Sequence, residues 1–234
     1  MKRSINMKKY ALTFSILAIL FTGGGLFASL KQEAVHVNTE SEAAAFIPRA
    51  SSHPEKDLIM GIVYHNLARV NPGRYISRAK VHLQREWKST SSPLALGYLG
   101  SVITLEGSVY SKQGNVVKAS AKVEEGKKLI DRAVSMAPGD LFLRFLRIGN
   151  AIGVSEASPF KRYDVAKRDL DYLSAKLDQA DDLTRSLYYM YRGKVAMAQN
   201  RINDALVGFE RSIRNAPRSR YAAESKKMIR ILEE

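Results

Sequence analysis

The stretch that most constrains the fold lies near the end of the chain, from Ser186 to Pro217: SLYYMYRGKVAMAQNRINDALVGFERSIRNAP. Apolar residues recur there at three-and-four spacing. Leu187, Met190, Tyr191, Val195 and Ala198 share one side of a first helix, and Ala205, Phe209, Ile213 and Ala216 one side of a second. Asn200 to Asn203 supplies the turn between them. Gly193 and Ala205 are small where two helices approach closely. Pro217 lacks the backbone donor that a further helical turn needs. A chain with this pattern folds the stretch as an antiparallel helix hairpin.

The spacing of Tyr189, Gly193, Ala205, Phe209 and Pro217 resembles the tetratricopeptide repeat family, whose unit is a helix hairpin of about 34 residues. A large residue and a glycine fall in the first helix, and an alanine, a large apolar residue and a closing proline in the second. Arg192, Ala196 and Ser212 depart from it, standing where the family has leucine, tyrosine and alanine. The resemblance implies stacked hairpins in a right-handed solenoid, with partner peptides held in a groove lined by first helices. In this hairpin that face would include Met190, Lys194 and Met197. Of the lysine and asparagine set with which some members hold a terminal carboxylate, only Lys194 is matched.

Upstream, the same periodicity predicts three looser hairpins. Leu58, Ile59, Ile62, Val63, Leu67 and Val70 form a stripe ended by Asn71-Pro72-Gly73, and Tyr75 to Lys88 follows with Ile76, Ala79, Leu83 and Trp87. Ser92-Pro93 starts a helix through Leu96, Leu99, Gly100, Ile103 and Gly107. Val116 to Met136 is its partner, closed by Ala137-Pro138. Leu141 to Ile152 pairs with Phe160 to Leu177, which Ser158-Pro159 would start. A last helix from Arg218, with Tyr221, Met228, Ile229 and Leu232 on one side, would cap the stack. No Asn-Gly or Asp-Gly hairpin turn occurs. The expected fold is all-α: about eight or nine helices over 54–234, after a polar linker over 31–53 with at most a short helix at Ser41 to Phe46.

The N-terminus reads as an export segment over 1–30. Lys2, Arg3, Lys8 and Lys9 precede Tyr10 to Leu30, which holds no charged residue. Ala11 to Phe21 has the length of a signal-peptide core, and Leu26-Phe27-Ala28 offers a small-residue cleavage site before Ser29. The competing reading is a retained membrane anchor. Either way the body is exported, to the periplasm or the outer face of the cytoplasmic membrane. The formal charge of +14 falls only to +10 without those four cations. An anionic membrane surface or polyanion is therefore an expected contact; nucleic acid is not, for an exported protein.

The candidate sites are few. Arg144 and Arg147 share one face of the apolar run LFLRFLRIGN. They would either line a groove for a carboxylate or phosphate or pair with Asp169 or Asp171 of the next helix. Arg211, Arg214, Arg218, Arg220, Lys226, Lys227 and Arg230 form a basic patch with Glu224 as the single acid. His36, His53, His65 and His82 fit no metal spacing; His65 and His82 lie in paired helices. The absence of cysteine excludes disulfides, thiol catalysis and a lipidated cysteine. No phosphate loop, nucleophile elbow or cofactor motif occurs. The expected function is a non-catalytic scaffold or adaptor that binds another protein, in envelope assembly or maintenance. The alternatives are a solute- or lipid-binding protein with its ligand near Arg144 and Arg147, and an enzyme of unfamiliar type built around His65 or His82.

Overall fold

A computed structural model describes residues 27–234. The basic cluster and most of the uncharged stretch of the expected export segment lie outside those residues. The described chain is all-helical: α1 (Phe27–His36), α2 (Glu40–Ala50), α3 (Lys56–Ala68), α4 (Pro72–Thr90), α5 (Pro93–Lys112), α6 (Val116–Met136), α7 (Leu141–Ala157), α8 (Tyr163–Ser174), α9 (Asp182–Ala198), α10 (Ile202–Asn215) and α11 (Arg220–Glu233), with a 3-10 turn at Leu177–Gln179. No helix among the described residues is long and apolar enough to cross a membrane.

Consecutive helices pack as pairs: α3 on α4, α5 on α6, α7 on α8 and α9 on α10. A second set of contacts joins alternate helices, α3 to α5, α5 to α7, α7 to α9 and α9 to α11. The first helix of each pair therefore belongs to one continuous row, while the second helices attach from the side. Two pairs are held at close range by glycine. A Cβ at Gly193 would lie 2.6 Å from the Phe209 ring, and one at Gly208 would lie 2.8 Å from the Gly193 Cα. In α5 and α6, a Cβ at Gly126 would lie 2.4 Å from the Gly100 carbonyl oxygen. Ala205 and Phe209 are fully buried at the α9–α10 seam.

Side chains place several boundaries. Ser92 accepts from the Ala95 amide with Pro93 in the first turn, and Asp140 and Asp181 cap α7 and α9 through the Leu143 and Thr184 amides. The turn after α9 puts Asn200 in the left-handed region, at φ 56°, where asparagine is tolerated.

Three expectations are corrected. The linker over 31–53 is instead α1 and α2. Leu30, Ala34, Val37, Ala43, Phe46 and Ala50 join the core, and Thr39 and Glu42 form a reciprocal capping box at the start of α2. With the nine from α3 to α11 over 54–234, this makes eleven α-helices among the described residues. Pro72 opens α4 rather than ending α3, and Val70 is 79% exposed. Ser158-Pro159 does not start a helix: Ser158 closes α7 in an extended conformation, and α8 begins at Tyr163.

Candidate functional site

The row α3–α5–α7–α9–α11 does not present an empty face, because α1 lies against it. Ala34 of α1 is fully buried, and Leu30 and Val37 nearly so, in the cluster that includes α3 and α5 residues. The C-terminal carbonyls of α1, which have no partner within the helix, meet one side chain of α3. The Asn66 amide nitrogen lies 3.1 Å from the Ala34 and Val35 oxygens and 3.0 Å from that of Val37. At the far end of the row, Gln32 donates to Asp181 at 3.2 Å, and His36 Nδ1 lies 3.3 Å from the Tyr221 hydroxyl. One ten-residue helix thus touches both the first and the last members of the row. An opening of about 360 Å³ remains between α1 and the start of α9, lined by Gln32, Glu33, His36, Asp181 and Leu183.

The seat of α1 fixes the state of His65. Because the Asn66 nitrogen faces carbonyls, its Oδ1 is left to accept from His65 Nδ1 at 3.1 Å, so Nε2 accepts the Ser101 hydroxyl at 2.9 Å. Burial, and secondarily the charge on Arg69, lower the imidazole pKa to about 3. His65 is therefore a neutral structural link between α3 and α5, edge-on to Tyr98. His82 does not meet it; it bonds instead to Asp57 at 2.6 Å and stacks on Tyr64. Among the described residues no cluster of histidine, aspartate or glutamate is placed to hold a metal.

Arg144 and Arg147 converge on the buried carboxylate of Asp169. Arg144 donates to Oδ1 at 2.7 Å, and Arg147 reaches both oxygens at 2.7 Å. Arg144 also stacks over Tyr172 at 3.6 Å. Asp171 pairs with Lys167 instead. Arg162, which the sequence did not single out, joins the group by closing on Asp131 at 2.7 Å, and Asp131 lies 3.5 Å from Arg147. Each guanidinium lies on a carboxylate, and Arg162 Nη1 is buried without a hydrogen-bond partner among the described residues.

Met190, Lys194 and Met197 do not form a shared open surface. Met190 is buried with Leu187 and Tyr221, and Met197 packs beside Phe209 and Met228. Lys194 is held between Glu156 at 3.4 Å and Glu224 at 3.1 Å. Burial opposes its charge, but the two carboxylates outweigh that and raise its pKa. Of the repeat residues, Tyr189 is only partly buried while its neighbour Tyr188 is 1% exposed. The buried aromatic of α9 is thus one position earlier than the family pattern places it.

The basic patch divides. Arg211 and Arg214 line a cavity beside α9. Arg220 stacks on Tyr221 and donates to its hydroxyl. Arg218, Lys226, Lys227 and Arg230 are exposed, and Glu224 is turned to Lys194. The face occupied by α1 left no motif in the sequence; the one available signal was Thr39-x-x-Glu42, which marks a helix start in the supposed linker. No protein-family model, curated protein or solved structure matches this chain.

Proposed function

We propose that this chain is an exported, non-catalytic helical-repeat scaffold that binds a helical segment of another protein. The stacked pairs make a solenoid in the manner of tetratricopeptide repeats, and the partner takes the place that α1 holds on the row of first helices. The observation that carries this reading is the seating of α1. An amphipathic segment docks by burying small and aliphatic residues and by having its terminal carbonyls satisfied. Leu30, Ala34, Val37 and Asn66 supply both for α1. A displacing helix with small and aliphatic residues at the same spacing would meet the same receptor.

Export rests on Lys2 to Lys9 followed by the uncharged stretch, which would place the body on the outer side of the cytoplasmic membrane. Assembly or maintenance of the envelope is the role that position suggests. The solute-binding alternative has lost its main support, since Arg144 and Arg147 are both engaged by Asp169.

A photo-reactive residue at Leu183, beside α1, and another at Val117, on the exposed side of α6, test the reading in native membranes. A defined protein cross-linked from position 183 and not from 117 is expected. Recovery of a stoichiometric small molecule and no protein would overturn it.

A further inference from the structure

A cavity of about 360 Å³ lies between the start of α9 and the last turn of α10, lined by Arg185, Arg211, Arg214, Tyr189, Leu177 and Asp178 among others. Its wall carries three guanidinium groups and one carboxylate. The three are placed unlike Arg144, Arg147 and Arg162, each of which reaches a carboxylate oxygen at 2.7 Å. Arg211 forms no ion pair among the described residues and lies over the Tyr189 ring at 5.4 Å. Arg214 comes no nearer than 4.0 Å to Glu210, an exposed pair of the kind that contributes little. Asp178 forms no ion pair with any of the three among the described residues.

Arg185 is the decisive member. It sits in the first turn of α9, where the helix dipole disfavours a cation. Helix electrostatics account for Arg214 in the last turn of α10 but not for Arg185. Its guanidinium is nonetheless fixed, with Nε and Nη2 both donating to the Ala180 carbonyl at 2.8 and 2.6 Å. Among the described residues the acid paired with its remaining edge is Asp182, at 4.0 Å from Nη1. A planar fork held in place without a close counter-ion has lost its side-chain entropy before any ligand arrives.

We propose that this cavity binds a phosphoryl group carried on a small organic body, with Arg185, Arg211 and Arg214 on its oxygens and Tyr189 and Leu177 against the body. Guanidinium forks match phosphate oxygens in bidentate geometry, and the wall's two-charge excess balances a phosphate dianion. The volume lies within the range of small-ligand clefts, about 300–1,000 Å³, so more than a bare ion fits. A soluble phosphomonoester and a phospholipid headgroup share this chemistry. The site is separate from the row on which α1 lies and does not depend on how that row is used.

The full chain in neutral detergent micelles is titrated with glycerol phosphate at fixed ionic strength while its thermal midpoint is followed; nanodiscs containing phosphatidic acid form the second arm. Arg211→Gln/Arg214→Gln is compared with Arg218→Gln/Arg230→Gln, which removes the same charge from basic residues outside the cavity. Arg185→Lys keeps charge but loses the fork. The expected result is a midpoint rise, or a preference for phosphatidic acid, in wild type and in the 218/230 variant. Binding should weaken about tenfold or more for each cavity guanidinium lost. The arm that responds identifies the source of the phosphoryl group. Equal responses in all variants would reduce the site to general basicity and overturn it, as would no response of wild type in either arm.

Discussion

The two halves of the molecule are held together differently. From Leu30 to Leu143 most buried apolar residues form one continuous cluster that runs through α1 to α7. From Ile148 onward they fall into three smaller clusters, and polar groups bridge the gaps. Asp169 ties α8 to α7 through two arginines. Lys194 ties α9 to α7 and α11 through Glu156 and Glu224. Ser186 reaches the Ser212 carbonyl at 2.8 Å and the Ser219 hydroxyl at 3.3 Å. Apolar contact is non-directional and adds stability with area, whereas buried charge is stabilising only while its geometry is complete. The second half is therefore expected to open as smaller units, at lower free energy than the first.

The largest effect is expected where that polar geometry fails. Asp169→Ala leaves the part-buried Arg144 and Arg147 without their shared carboxylate and should cost about 3 kcal/mol, read by denaturant unfolding. Hydrogen exchange should accelerate in α7 to α11 before α3 to α6. Replacing the group together, as Arg144→Met/Arg147→Met/Asp169→Leu, should return stability close to wild type; failure to do so would mean the charges do more than pair.

Acid tests the first half. His65 is held neutral, with a folded pKa of about 3 against an ordinary 6.5. Its contribution is fully present above pH 6.5 and is lost as pH falls towards 3, because the unfolded chain takes up the proton first. The slope is about 1.4 kcal/mol per pH unit, or about 3 kcal/mol between pH 6.5 and 4. A His65→Gln chain should lack that slope in the same titration, whatever its absolute stability.

The glycine seams give a smaller, paired comparison. Gly126→Ala and Gly208→Ala each push a methyl group into facing backbone and should cost about 1–3 kcal/mol. The first should loosen exchange throughout the continuous core, the second only in α9 to α11. Similar spread from both would erase the distinction between the halves. Lys194→Met should change stability by less than about 1 kcal/mol, because Glu156 and Glu224 are partly exposed and can hydrate.

The sequence exposed most clearly what repeats locally. Gly193, Ala205 and Phe209 announced the α9–α10 seam, and Val116 to Met136 is α6 at both ends. It was less clear where a helix is buried on more than one side. Tyr188 and Ala196 are buried though they lie off the expected stripe, while Ala198 on it is exposed, because α9 touches α7, α8, α10 and α11. Least legible was α1. Its burial depends on Asn66, Asp181 and Tyr221, residues distant in sequence that only the fold brings to it. The cavity arginines share that reason: Arg211 and Arg214 were marked as basic, but Arg185 joins them across the 3-10 turn.

The role of α1 can be tested by fixing it in place. The chain has no cysteine, so Gln32→Cys/Asp181→Cys can be bridged by a short thiol-reactive linker without competing labels. Capture of a partner from a photo-reactive residue at Leu183 is then compared between the bridged protein and the same protein with both thiols capped. The account predicts efficient bridging within one chain, and a partner captured by the capped form and lost from the bridged form. Equal capture by both forms would contradict the claim that the face beneath α1 is where the partner binds.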